Sequence, residues 1–176
     1  MEEKLRSRTV FEGRLFRVSL DVVKLSHGLT VEREIVHHRG SVGVIPCTDD
    51  GKIVMVRQFR YPAGEALLEI PAGTLEPGED PVRCAARELT EETGYTAEDL
   101  KPLGQVFLAP GYCTERIHLF LASGLRKGRQ ITEADEKITV ELMDVRDVAY
   151  KIRRGEIVDA KTICGIYLAE PFIKGV

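Results

Sequence analysis

The chain has 176 residues, of which 43% are hydrophobic and 30% charged, a composition suited to one globular domain with a sizeable core. Its formal charge of -3 gives no basic excess of the kind that recommends nucleic acid as a partner. No apolar run approaches the roughly 18 residues of a membrane span, and MEEKLRSRTVFEG lacks the apolar core of a signal peptide, so no membrane partner and a cytoplasmic location are expected.

In chain order, RLFRVSLDVVK carries β-branched and apolar residues at strand density, SHGLT makes a turn, and VEREIVHH alternates with period two. These segments predict an N-terminal hairpin. SVGVIPC and KIVMVRQFR flank TDDG, whose Asp-Gly pair predicts a second hairpin. ALLEIPAG is the next strand and leads into a glycine loop. A helix is predicted from Pro81 to Thr93, entered through Asp80 as N-cap with Pro81 at the first helical position, and stopped by Gly94. QVFLA, IHLFLASGL and ITVELMDV read as strands, and residues 145–154 and 160–169 as helices. This order predicts a mixed sheet with helices on its faces, an α/β or α+β layered fold. Cys47, Cys84, Cys113 and Cys164 form no C-x-x-C pair and are expected to be free, mostly buried thiols. His37 and His38 are adjacent, hence on opposite sides of a strand, and are expected at the surface or in packing.

The predicted helix concentrates acid. At about 100° per residue, Glu88, Glu91 and Glu92 share roughly a third of its circumference, while Val82, Ala85, Ala86, Leu89 and Thr93 gather on another side. Glu88 and Glu92 repel at i,i+4, and Arg87 is spaced to pair with Glu91 one turn on. A hard divalent cation, which takes oxygen ligands, relieves such a cluster, whereas a solvated acidic face is the plain alternative.

The order of these residues decides between the two. Gly73, Glu79, Arg87, Glu88, Leu89, Glu91, Glu92 and Gly94 fit the pattern G-x5-E-x7-R-E-U-x-E-E-x-G-U, with Tyr95 where the last apolar residue is normally aliphatic. The stretch resembles a Nudix box. The resemblance covers the chain from about Arg39 to the C-terminal helix and implies a Nudix-type α/β/α sandwich over residues 39–176. Residues 1–38 then form an added β-hairpin segment for dimerisation. LLEIPAGTLEPGE, APGYCTERIHLFLA with Pro110, VRQFRY and EADEK are together similar to ADP-ribose pyrophosphatases.

That resemblance implies hydrolysis of ADP-ribose to AMP and ribose 5-phosphate in a homodimer. Alternatives are another nucleoside diphosphate sugar such as GDP-mannose, a dinucleotide, or a non-catalytic nucleotide-sensing module, against which the intact Glu88, Glu91 and Glu92 argue. The cofactor implied is Mg²⁺, or Mn²⁺, held by Glu88, Glu91, Glu92 and the Ala72 carbonyl. Arg87 is expected to orient Glu91, and Glu79 to support the loop or the metal shell. The general base is expected at Glu136, with Glu133 as the alternative. Arg60 is expected at the diphosphate and Glu69 at the nucleotide, or else paired with arginine. Phe16 is either core or a stacking platform for adenine in the partner subunit, and Glu115 meets a ribose hydroxyl or a metal.

Overall fold

The computed structural model describes residues 1–131 and 137–173. They fall into two compact units, one of residues 1–40 with 107–116, the other of residues 41–106 with those from 117 onward.

In the first unit, β1 (Glu3–Glu12), β2 (Phe16–Lys24) and β3 (Thr30–His38) form an antiparallel sheet in the order β1-β2-β3. β2 and β3 are the predicted hairpin, paired from Phe16 opposite His38 to Lys24 opposite Thr30. Its turn needs a left-handed residue, which Gly28 supplies at φ 93°. β1 adds a strand beyond the prediction. All ten of its residues, EKLRSRTVFE, are exposed, so no buried face imposes an apolar alternation on them. Pairing with β2 alone makes this segment a strand.

In the second unit, β4 (Ser41–Pro46) runs parallel to β10 (Arg116–Ser123) and antiparallel to β7 (Ala72–Thr74), in a mixed sheet ordered β7-β4-β10-β9 with β9 at Asp99–Phe107. β5 (Lys52–Arg60) lies between β12 (Ile138–Asp144) and β6 (Glu65–Glu69), antiparallel to both. Short strands β8 (Tyr95–Thr96) and β11 (Arg126–Lys127) pair with each other. The helices are α1 (Pro81–Thr93), α2 (Val145–Arg153) and α3 (Ala160–Ala169).

β4 explains the layering. Every one of its residues is buried, and its side chains alternate between two cores. Val42 and Val44 meet Cys84, Ala85 and Leu89 of α1, while Ile45 packs with Val148 of α2 and Ile166 of α3. α3 approaches closely because it carries Gly165, where a Cβ would stand 3.0 Å from Ile45 Cδ1. The architecture is the expected mixed α/β fold, a central mixed sheet flanked by helices with an N-terminal antiparallel extension. No helix among the described residues is long and apolar enough to cross a membrane.

Four local expectations change. TDDG does turn the chain, with Gly51 at φ 80°, but β4 and β5 join different sheets and share only a bridge from Cys47 to Ile53. ALLEIPAG is two strands, because Pro71 has no N–H to donate, and the chain leaves β6 for β7 across Ile70–Pro71. α1 buries Cys84, Ala85, Leu89, Glu92 and Thr93, leaving Val82 and Ala86 exposed. The thiols are all free, but only Cys84 is buried and the other three are half-buried.

Candidate active site

Both ends of α1 are fixed by local chemistry. Asp80 Oδ1 accepts from the N–H groups of Val82 and Arg83 at 2.9 and 3.3 Å, and Pro81 takes the first position, where no donor is lost. Gly94 closes the helix at φ 74°, its N–H bonded to Thr90 O at 2.9 Å. A Cβ there would also stand 2.7 Å from Gln130 N, so glycine is required twice over. Burial of Leu89 beneath the sheet adds roughly 2 kcal/mol.

One guanidinium organises the acidic face. Arg87 Nε and Nη2 donate to the two oxygens of Glu79, each at 3.0 Å, while Nη1 donates to Glu88 Oε1 at 2.8 Å and Glu91 Oε2 at 3.0 Å. The Arg87–Glu91 contact expected from the spacing is therefore present, as one of three. The Arg87 hydrogen bonds hold Glu79 down to a pKa of about 2 and push that of Arg87 up. Glu79 Oε2 also accepts from Glu76 N–H at 2.9 Å, closing the loop that enters the helix. Burial raises the neighbouring Cys84 thiol to about 12, which leaves it protonated and inert.

β7 supplies the other wall. Glu92 is only 4% exposed, and its Oε2 accepts from Ala72 N–H at 3.0 Å, tying the last turn of α1 to β7. Next along β7, Gly73 leaves room for Glu88: a Cβ at Gly73 would lie 1.9 Å from the Glu88 carboxyl carbon. The glycine and two of the glutamates thus define one surface, made of the Ala72–Gly73 backbone and the inner face of α1.

A second cluster surrounds Glu69, which is 1% exposed. Arg60 grips it with Nε and Nη2 at 2.8 and 2.7 Å, and Lys161 Nζ donates to Glu69 Oε2 and, at 3.0 Å, to Asp159 Oδ1. Burial opposes ionisation of Glu69, but the two cations outweigh it and hold its pKa below the ordinary carboxylate value. The Glu69 hydrogen bond raises the pKa of Arg60, as do the fields of Glu92 and Asp159. Asp159 caps α3, accepting from the N–H and Oγ1–H of Thr162 at 3.0 and 2.6 Å, and Thr162 Oγ1 accepts from Ile70 N–H at 2.9 Å. Sequence reasoning missed Lys161, Asp159 and Thr162 as site neighbours. DAKT could be read as a helix start, but nothing local ties it to Glu69, 92 residues away.

Two more expected residues lie in the first unit. Phe16 is 38% exposed, 5.6 Å from the Phe11 ring, beside a cavity of about 350 Å³ with Arg14, Arg17, His37 and Arg39. Glu115 has Oε1 at 3.6 Å from His38 Nδ1. Glu133 and Glu136 lie outside the described residues.

The donor set of α1 and β7 is all oxygen, which suits a hard divalent cation. Arg87 Nη1 stands between two of these carboxylates, and among the described residues no three acidic, histidine or cysteine side chains are placed to hold a metal ion. The fit is one of chemistry, with Arg87 as the present counter-ion.

Comparison with known proteins agrees with the box. The NUDIX domain model matches residues 37–164. An ADP-ribose pyrophosphatase of Bacillus subtilis (strain 168) is 42% identical over 169 residues, covering 94% of this chain and 91% of the relative. A methanol dehydrogenase activator of Bacillus methanolicus is 41% identical over 167 residues, covering 94% and 90%. A crystal structure of an ADP compounds hydrolase superposes with a TM-score of 0.86 over 99% of this chain and 95% of that one, at 23% identity, a likeness of fold. With its box intact from Gly73 to Gly94 and the family match spanning most of its length, the chain belongs to the Nudix family of hydrolases.

Proposed function

We propose that the chain hydrolyses the pyrophosphate bond of ADP-ribose, releasing AMP and ribose 5-phosphate, with Mg²⁺ or Mn²⁺ as cofactor. The observation that carries this reading is the close approach of Glu88 and Glu92 to the Ala72–Gly73 backbone. Whole-length similarity to an ADP-ribose pyrophosphatase supports the substrate, but a relative named for activating another enzyme is almost equally similar, so identity alone does not select it.

Glu88, Glu91, Glu92 and the Ala72 carbonyl would hold the cation, which supplies charge neutralisation at the phosphates and a more acidic water. Arg87 keeps its two-pronged grip on Glu79 and its Nη1 bonds to Glu88 and Glu91. It therefore orients the acidic face without touching substrate. Arg60 contacts the diphosphate, whose oxygens match a guanidinium fork. Glu69 acts through Arg60, since both of its oxygens already accept from cations. Water adds to one phosphorus, the bond to the bridging oxygen breaks, and Glu136 or Glu133 takes the water's proton. Phe16 stacks on adenine in the partner subunit of a cytoplasmic homodimer, and Glu115 meets the ribose.

The test is product release from ADP-ribose, GDP-mannose, ADP-glucose, diadenosine polyphosphates and nucleoside triphosphates at millimolar Mg²⁺. A clear lead for ADP-ribose, abolished by chelator, is expected. A lead for another compound overturns the substrate, and silence across the panel promotes a nucleotide-sensing module.

A further inference from the structure

Glu69 has two cationic partners where one would neutralise it. A carboxylate at 1% exposure cannot be left without a counter-ion, so a lone arginine there would be locked in place. Here the roles divide by accessibility. The Arg60 side chain is 37% exposed, whereas that of Lys161 is 13% exposed and is also held by Asp159 at 3.0 Å. Lys161 sits in the first turn of α3, whose cap is bolted to Ile70 through Thr162. Arg60 is the partner able to move, and Glu92 of the acidic helix contributes to its field.

We propose that Lys161 is a positioning residue: by remaining on Glu69 as its second counter-ion, it frees Arg60 to turn onto the substrate's diphosphate. This rests on the reading of Arg60 given above. Without Lys161, each binding event would strip Glu69 of its only cation, and the cost would appear in substrate affinity. Neutralising Glu69 removes that cost, because Arg60 then leaves nothing charged behind. A brace that merely holds α3 to β6 behaves otherwise, losing stability and activity together with no recovery when Glu69 is neutralised.

The experiment measures KM and kcat for ADP-ribose at saturating Mg²⁺, together with melting temperature, for R60A, K161M, K161Q and the double variant K161M/E69Q. R60A is expected to raise KM about tenfold or more, the range of a lost charge-assisted hydrogen bond. K161M raises KM by a similar factor with kcat nearly unchanged, K161Q does the same should K161M fold poorly, and K161M/E69Q brings KM back to within about threefold of the parent. If R60A leaves KM unchanged, the reading of Arg60 fails and this proposal with it. If R60A raises KM while neither Lys161 variant does, the proposal alone fails. It fails equally if the Lys161 variants lose kcat and melting temperature and E69Q restores nothing.

Discussion

Replacing Gly73 with alanine separates the site from the fold. The new Cβ would stand 1.9 Å from Glu88 Cδ and Oε1 and 2.3 Å from Oε2, and these are the far end of a flexible side chain. The carboxylate must retreat by about 1.5 Å to reach ordinary contact near 3.4 Å. A displacement of that size in a positioned group lowers turnover roughly a hundredfold. Stability should barely change. Gly73 is not among the positive-φ glycines, so alanine restricts the unfolded chain and gains about 0.5 kcal/mol. Loss of the Arg87–Glu88 contact, between partly exposed groups, offsets it by about the same amount. The assay pairs kcat on ADP-ribose at saturating Mg²⁺ with a thermal melt. Parental turnover in G73A would refute the claim that Glu88 must lie against β7, and a large fall in melting temperature would show the backbone, not the carboxylate, absorbing the clash.

Glu92→Gln keeps an oxygen for the Ala72 N–H but loses the charge, so turnover should drop by a factor of 100 or so with the melt little changed; normal turnover would sink the metal-ligand role. Glu79 titrates near 2 in the folded chain against 4.5 as its ordinary value. A carboxylate depressed in this way contributes stability that is complete above about 4.5 and is lost as pH falls toward 2, so E79Q should flatten acid unfolding across that window, and an unchanged pH profile would contradict the strength of the Arg87 pair. Light scattering at micromolar concentration should report a dimer; a monomer would remove the role of Phe16 across subunits.

The legible parts of the chain are those written in nearby residues. Asp80, Pro81 and Gly94 bound α1 because capping and left-handed closure depend on a few adjacent groups. The spacing from Gly73 to Gly94 marked the acidic helix, since residues three and four apart share a face whatever packs below. β1, β8 and β11 were not legible: β1 is exposed along its whole length, and β8 and β11 are two residues each and defined only by pairing with each other across the sequence. The buried stripe of α1 was misjudged at Val82 and Ala86. Periodicity tells which residues lie together, and the sheet, built from Val42, Val44 and Phe120, chooses which side it covers. Arg60 and Glu69 could be singled out as charged residues beside the box, but Lys161, the second cation on Glu69, arrives only when α3 packs on the sheet.

Those distant contacts explain how the molecule tolerates so much like charge on one helix. Glu88, Glu91 and Glu92 work against α1, and Glu92 is buried as well. The helix does not rely on its acidic face. Its two caps and the packing of Cys84, Ala85 and Leu89 against β4 hold it from ends and back. The facing wall, β7, is held in turn by β4 on one side, and the chain entering it is held by Thr162 through Ile70. With both walls anchored on β4, repulsion among the carboxylates cannot relax by moving backbone. A positive charge brought between them relieves it, and the Arg87 Nη1 bonds mark where a stronger cation would compete.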